Sequence, residues 1–222
     1  MAKAALFDVD GTLIDTVDLH ARAWQDAFAK WGKQVGFAEV RKQIGKGADQ
    51  LLPVFLTQAE QDEFGERMTA WRGKHFLREY FPQARPFPKV RELFEALIAR
   101  GLRVAVASSA KGEELDHYTR LARIDDLLDA QTTSDDAERS KPHPDIFLAT
   151  LDRLGLPARD CVGVGDTAYD AIACRKAGVP VIGVRCGGFP EDELRAEGCR
   201  EIHDDPADLL AHLDQSILGG RV

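Results

Sequence analysis

The stretch Ala4-Ala5-Leu6-Phe7-Asp8-Val9-Asp10-Gly11-Thr12-Leu13-Ile14-Asp15-Thr16 decides how the rest of the chain is read. A short apolar run of strand length breaks off at two aspartates spaced i, i+2, followed by a glycine. That pattern describes a buried strand delivering carboxylates to a loop at its carboxyl end, where open α/β sheets bind their ligands. If the backbone stays extended through Val9, Asp8 and Asp10 project to one side about 7 Å apart, while Val9 turns back to the core. Carboxylates that close repel unless a cation lies near them, and hard oxygen donors on a short loop suit Mg²⁺. A second reading makes one aspartate a turn cap and leaves the other solvated. Later motifs weigh against it.

The chain has 222 residues, enough for one large domain or a main domain with an insertion. Hydrophobic residues at 44% and charged residues at 30% are ordinary globular values, which argues against disorder and against a membrane protein. The net charge of -8 provides no basic excess to neutralise a nucleic-acid backbone, although a few cations in one cleft suffice for a small phosphorylated ligand. No apolar run approaches the roughly 20 residues that span a bilayer, and Met1-Ala2-Lys3 leads straight into the first strand, so a cytoplasmic protein is expected. Exposed Met or aromatic clusters are not obvious, and a monomer is expected. Cys161, Cys174, Cys186 and Cys199 are widely spaced with no C-x-x-C pair, as for thiols packed like small apolar groups. Cys199 with His203 would make at most half of a metal site.

Beyond Thr16 the rhythm changes. Leu19, Ala23, Trp24, Ala27, Phe28 and Trp31 recur at helical spacing up to Gly32, and helical segments follow over 40–44, 48–56 and 58–80. Phe81-Pro82-Gln83-Ala84-Arg85-Pro86-Phe87-Pro88 then interrupts them as a stiff linker. Residues 16–85 therefore form a helical insertion between the first strand and the remainder, 86–222. From Pro88 helices and strands alternate, with helices over 90–98, 111–122, 144–154, 168–177, 191–197 and 206–213, and strands over 103–107, 128–133, 161–165 and 180–184. Such alternation with short loops predicts an open, Rossmann-like, mainly parallel α/β sheet flanked by helices, to which the first strand also belongs.

Four strand ends carry unusual chemistry: Asp8 and Asp10 after the first, Ser108 and Ser109 after the second, Lys141 beyond the third, Asp166 and Asp170 after the fourth. In a parallel sheet all four ends lie on one edge, so these residues can converge. Singly, each has an ordinary alternative: Ser108 or Ser109 as a helix cap, Lys141 as a surface lysine, Asp166 as a cap of the next helix.

With these residues together the chain resembles the haloacid dehalogenase-like hydrolase superfamily, in its subgroup with a helical cap inserted after the first motif. The matching motifs are Asp8-Val9-Asp10-Gly11-Thr12-Leu13-Ile14-Asp15-Thr16, Ser108-Ser109, Lys141-Pro142-His143-Pro144-Asp145, and Gly165-Asp166 with Asp170. The resemblance implies an α/β core made of 1–15 and 86–222 and a cap domain at 16–85. It also implies a Mg²⁺-dependent phosphatase acting on a small phosphorylated metabolite. Asp8 would attack the phosphoryl group to give an aspartyl-phosphate, and Asp10 would protonate the leaving oxygen and then activate water. Mg²⁺ would be held by Asp8, the Asp10 carbonyl and Asp166, with Asp170 supporting it, while Lys141 and Ser108, helped by the Ser109 or Ala110 amide, would neutralise and bind phosphate.

The cap would then act as a lid carrying the residues that read the leaving group. Lys46 in Gly45-Lys46-Gly47 is a candidate to meet the substrate, with a solvated loop lysine as the alternative. His20 matches a histidine found there in many relatives, sugar-phosphate mutases included, its alternative being a polar-face residue. Arg41 is a further candidate. Two other activities compete. A β-phosphoglucomutase-type reaction is disfavoured because such mutases carry an acidic pair in the fourth motif, where this chain has Gly165-Asp166 and a separate Asp170. A receiver-like phospho-accepting switch is disfavoured by the insertion. Dehalogenation is disfavoured because relatives that perform it lack an aspartate at the place of Asp10.

Overall fold

The apolar run Ala4–Phe7 is strand β1, with all four residues fully buried. The computed structural model describes residues 2–220; Met1, Arg221 and Val222, assigned from sequence to the core, lie outside the described residues. After β1 come the two-residue strand β2 (Ile14–Asp15), helices α1 (Val17–Lys30), α2 (Phe37–Arg41), α3 (Ala48–Phe55), α4 (Gln58–Glu60) and α5 (Glu66–His75), and the two-residue strand β3 (Arg85–Pro86). Alternation then sets in with α6 (Val90–Ala99), β4 (Arg103–Ala107), α7 (Gly112–Ala122), β5 (Ala130–Thr132), α8 (Asp145–Leu154), β6 (Cys161–Gly165), α9 (Ala168–Ala177), β7 (Val181–Val184), α10 (Glu191–Ala196), β8 (Glu201–His203) and α11 (Pro206–Ala211).

The large sheet has the order β5-β4-β1-β6-β7-β8, and its neighbouring strands are parallel throughout. The chain builds outward from β1 through β4 to β5, then crosses back to add β6 on the other side, which makes the end of β1 the switch point where such sheets bind ligands. Register sharpens this: Phe7 pairs with both Val106 and Val164, so Asp8 leaves β1 opposite Ala107 and Gly165, and Ser108 and Asp166 leave β4 and β6 one residue further on at the same edge. The period of two sends Ala5 and Phe7 into one apolar cluster with Leu93, Phe94 and Tyr118, and Ala4 and Leu6 into another with Ile146, Phe147 and Cys174. Both faces are thus covered by helices, as a mainly parallel sheet requires.

The helical stretch 17–80 has an apolar cluster of its own, in which Trp24, Phe28, Val40, Leu51, Leu52 and Met68 are buried and Phe189, from the loop after β7, joins them. The helix expected over 58–80 is interrupted by π turns at Gln61–Gly65 and Phe76–Tyr80, each adding a residue per turn and so re-aiming the side chains beyond it. The stiff linker at 81–88 also proves more structured. A 3₁₀ turn at Phe81–Gln83 leads into β3, which pairs antiparallel with β2 through Ile14–Pro86 and Asp15–Arg85. The chain therefore leaves and re-enters the α/β layer along one paired ribbon. Strand β8 was not expected from sequence. Glu201-Ile202-His203 is short and polar, and it is held only from the β7 side.

Phe28 is fully buried, with its ring 5.9 Å from Trp24 and 5.0 Å from Phe55. Phe28→Ala should cost about 3–5 kcal/mol in urea-induced unfolding followed by circular dichroism; a loss below about 1 kcal/mol would contradict this packing.

Candidate active site

At the carboxyl end of β1 the Asp8 carboxylate meets Lys141, whose Nζ donates to Asp8 Oδ1 at 2.5 Å and to the Ala107 carbonyl at 3.0 Å and lies 2.8 Å from Asp170 Oδ1. Two hydrogen bonds and one ion pair thus surround the ammonium, and Asp170 Oδ1, buried, has no hydrogen-bond partner among the described residues. Lys141 is fully buried, brought in by the segment between β5 and α8. Asp170, in the first turn of α9, closes a capping box in which Thr167 donates to Oδ2 through its amide at 3.1 Å and its hydroxyl at 2.6 Å. Thr12 Oγ1 lies 3.2 Å from Asp8 Oδ2 and 3.1 Å from Asp166 Oδ1, bridging the ends of β1 and β6.

Asp166 Oδ2 is buried with no hydrogen-bond partner among the described residues. Two glycines leave it room: a Cβ at Gly11, whose φ is +88°, would fall 2.3 Å from Oδ2, and one at Gly187 would fall 1.7 Å away. Asp8, Asp166 and Asp170 each offer an oxygen within 4.8 Å of the others. With all three ionised and Lys141 charged, the cluster carries a net charge of -2 (three carboxylates against one ammonium) among side chains more than nine-tenths buried. An orphaned carboxylate oxygen, an all-oxygen donor set and a deficit of two charges fit Mg²⁺. Without a cation the acids respond as electrostatics demands. Burial, reinforced by Asp170 and Asp10 and opposed by Lys141, pushes Asp8 up to about 7. Burial, with Asp170 and Asp8, also holds Asp166 well above the usual carboxylate range. Burial disfavours the Lys141 charge, but Asp170 and Asp8 outweigh it and raise its pKa above the ordinary lysine value.

Asp10 faces elsewhere. Its Oδ1 accepts from Thr16 Oγ1 at 2.6 Å and lies 2.7 Å from His20 Nε2. A metal role for Asp10 therefore rests on its carbonyl alone. Burial works against its ionisation, but His20, Thr16 and Tyr118 outweigh it and draw Asp10 down to about 2. The His20 ring is stacked on Phe76 at 4.0 Å and its Nδ1 is met by Arg72 Nη2. A guanidinium only donates, so Nδ1 carries the lone pair and Nε2 the proton directed at Asp10. Tyr118 Oη, 3.0 Å from His20 Nε2, donates to Glu114 Oε1 at 3.1 Å. His20 is thus buried in a network spanning the helical segment and α7, rather than lying on a polar face.

Asp8, Asp10, His20, Lys46 and Ser109 all line one cavity of about 340 Å³ between the helical segment and the sheet edge. Ser108, Lys141, Asp166 and Asp170 are buried beneath its floor. Ser108 Oγ accepts from the Ala110 amide at 3.0 Å, the capping role open from sequence, and its hydroxyl proton is left for another acceptor. Lys46 Nζ donates to Gln43 Oε1 at 2.6 Å and sits 4.7 Å from the Tyr169 ring centre. Arg41 lies outside the cavity. It binds Asp18 and donates to the Gly187 and Gly188 carbonyls at 2.9 and 3.3 Å, tying α2 to the loop that makes room for Asp166. Arg72, Tyr118, Glu114 and Thr16 were missed as site residues. Only Glu114 and Tyr118, four apart on the helix after Ser108-Ser109, carried a periodic signal. The four cysteines are free thiols. His203 turns to Asp208, its Nδ1 3.3 Å from Oδ2.

Comparison with known proteins agrees with this architecture. The family described as haloacid dehalogenase-like hydrolase matches residues 5–184. A protein provisionally named pyrophosphatase PpaX, from Caldanaerobacter subterraneus, is 30% identical over 212 residues, covering 93% of this chain and 92% of its own. A phosphoglycolate phosphatase of Rhodospirillum rubrum is 29% identical over 222 residues, covering 94% and 90%. Among solved structures, a hydrolase from Pseudomonas syringae superposes with a TM-score of 0.87 at 29% identity, covering 96% of this chain and 98% of its own. The chain belongs to the haloacid dehalogenase-like hydrolase family.

Proposed function

We propose that this protein is a Mg²⁺-dependent phosphatase that hydrolyses a small phosphorylated metabolite through an aspartyl-phosphate on Asp8. The observation that carries the reading is the setting of Asp8. Its carboxylate reaches the cavity floor while held by Lys141 and Thr12, as one member of an acidic cluster short of two positive charges. The names of the relatives, a phosphoglycolate phosphatase and a pyrophosphatase, support phosphoryl transfer to water as the reaction class.

Asp8, Asp166 and Asp170 would hold Mg²⁺, with the Asp10 carbonyl as a further donor; when bound, the ion screens the anionic nucleophile from the anionic phosphate. The Asp8 oxygen forms a bond to phosphorus as the ester oxygen leaves. Lys141 holds Asp8 in line and offsets charge on the phosphoryl oxygens, and the Ser108 hydroxyl proton with the Ser109 or Ala110 amide takes up a phosphoryl oxygen. Asp10, once protonated, gives its proton to the leaving oxygen and then takes one from the water that attacks phosphorus, releasing phosphate and restoring Asp8. His20 keeps the Asp10 carboxyl pointed by donating from Nε2. The helical segment, 16–85, acts as the lid that excludes water during the first step, with Lys46 at its rim to meet the substrate.

Asp8→Asn should abolish Mg²⁺-dependent phosphate release from para-nitrophenyl phosphate while leaving the circular dichroism spectrum unchanged, and Asp10→Asn should lower it by about 10²- to 10⁴-fold. Turnover persisting in Asp8→Asn would overturn the reading. A stability measurement checks the cation site separately. Asp8 and Asp166 have folded-state pKa values above the usual carboxylate value, so without a cation they weaken the fold as pH rises from about 4 through 7. Mg²⁺ binds the ionised set and restores that loss, so its increase in Tm should be larger at pH 8 than at pH 5 and should vanish in Asp166→Asn. An equal shift at both pH values would contradict the assignment.

A further inference from the structure

Among the described residues, Arg72 on α5 is a half-buried cation without an anion. Its guanidinium carbon lies 5.2 Å from the Trp24 ring centre and 5.0 Å from that of Phe76, so the plane is gripped by two aromatic rings. Nη2 meets His20 Nδ1, Nε is buried without a partner, and Nη1 makes no hydrogen bond among the described residues. No carboxylate of those residues lies within 4 Å of the group. A guanidinium withdrawn from water costs stability unless it is paired, and aromatic stacking offsets only part of that cost. Arg72 also lines the cavity into which Asp8 opens. The other cation there from the helical segment, Lys46, is already engaged by Gln43 and Tyr169.

We propose that Arg72 selects the substrate: it receives an anionic oxygen carried by the leaving group, so the preferred substrates are small phosphate monoesters bearing a second acidic group. The inference rests on the phosphatase reading for its site but concerns what the cap side of that site recognises. The rings fix the guanidinium plane and leave Nη1, which makes no hydrogen bond among the described residues, for a carboxylate or a second phosphate. A cavity of about 340 Å³ is near the lower end of ligand pockets, roughly 300–1,000 Å³, which favours a leaving group of few atoms. Because Arg72 also holds the lone-pair side of His20, the residue that reads the leaving group touches the one that points Asp10 at it.

The test separates recognition from chemistry. Binding of carboxymethyl phosphate, ethane-1,2-diol bisphosphate and ethyl phosphate to the Asp8→Asn protein with Mg²⁺ is measured by calorimetry, then repeated with Arg72→Gln or Arg72→Lys added. The two doubly acidic ligands should bind the Asp8→Asn protein about 10- to 100-fold more tightly than ethyl phosphate, and whichever binds more tightly identifies carboxylate or phosphate as the second group. Arg72→Gln should collapse that ratio towards unity and Arg72→Lys should retain part of it. Equal binding of all three ligands, or a ratio that survives Arg72→Gln, would overturn the proposal. If Arg72→Gln fails to fold, a full ratio in Arg72→Lys overturns it and a reduced one upholds it. Wild-type phosphate release from the same compounds is measured in parallel. No turnover despite Arg72-dependent binding would sink the phosphatase reading and leave this inference standing.

Discussion

Three carboxylates and one ammonium are buried together at one edge of the sheet, and that imbalance governs the rest of the molecule. Asp8, Asp166 and Asp170 come from different elements, Lys141 from a fourth, and all are more than nine-tenths buried. At low effective dielectric such like charges repel strongly, so the arrangement is tolerable only with protons on the acids or a cation among them. The fold supplies what the cluster needs. Adjacent strand ends, one residue out of step, bring the acids together, Thr12 bridges two of them, and Gly11 and Gly187 leave the space around Asp166 Oδ2 clear.

Asp8 and Asp10 are two residues apart, yet their surroundings drive them in opposite directions, to about 7 and about 2. Two carboxyl groups with separated environments can take different roles in one reaction. The separation depends on the helical segment, because Thr16 and His20 reach Asp10 from that side while Lys141 and Asp170 reach Asp8 from the sheet side. The same segment contacts the sheet edge through Arg41 on the Gly187 and Gly188 carbonyls, Tyr169 Oη on the Lys42 carbonyl, and the Ser140 amide on Asp49. The wall of the cavity and the placement of the Asp10 carboxyl therefore come from the same helical segment.

The α/β layer was legible because its signals are local and strong. The apolar run before Asp8, the glycine stops and the alternation of helix with strand each follow from burial on both faces of a parallel sheet. The edge strand β8 was not legible, since an edge needs few apolar residues and Glu201-Ile202-His203 has one. The floor of the site was legible through four strand ends that topology brings to one edge. The side formed by the helical segment was not, because Arg72 owes its place to the aromatic packing of Trp24 and Phe76 and to the helical run that carries it, not to any spacing in the sequence. His20 was read with a polar-face alternative and turned out buried, because its partners Tyr118 and Glu114 lie nearly a hundred positions further along.

The account stands on a divalent cation completing the buried acidic cluster. Anomalous diffraction from crystals grown with Mn²⁺ in place of Mg²⁺ tests this most directly. A peak is expected within bonding distance, about 2.0–2.3 Å, of carboxylate oxygens of Asp8 and Asp166. A cluster that stays without a peak at saturating Mn²⁺ and neutral pH, while its carboxylates keep the arrangement described, would contradict it.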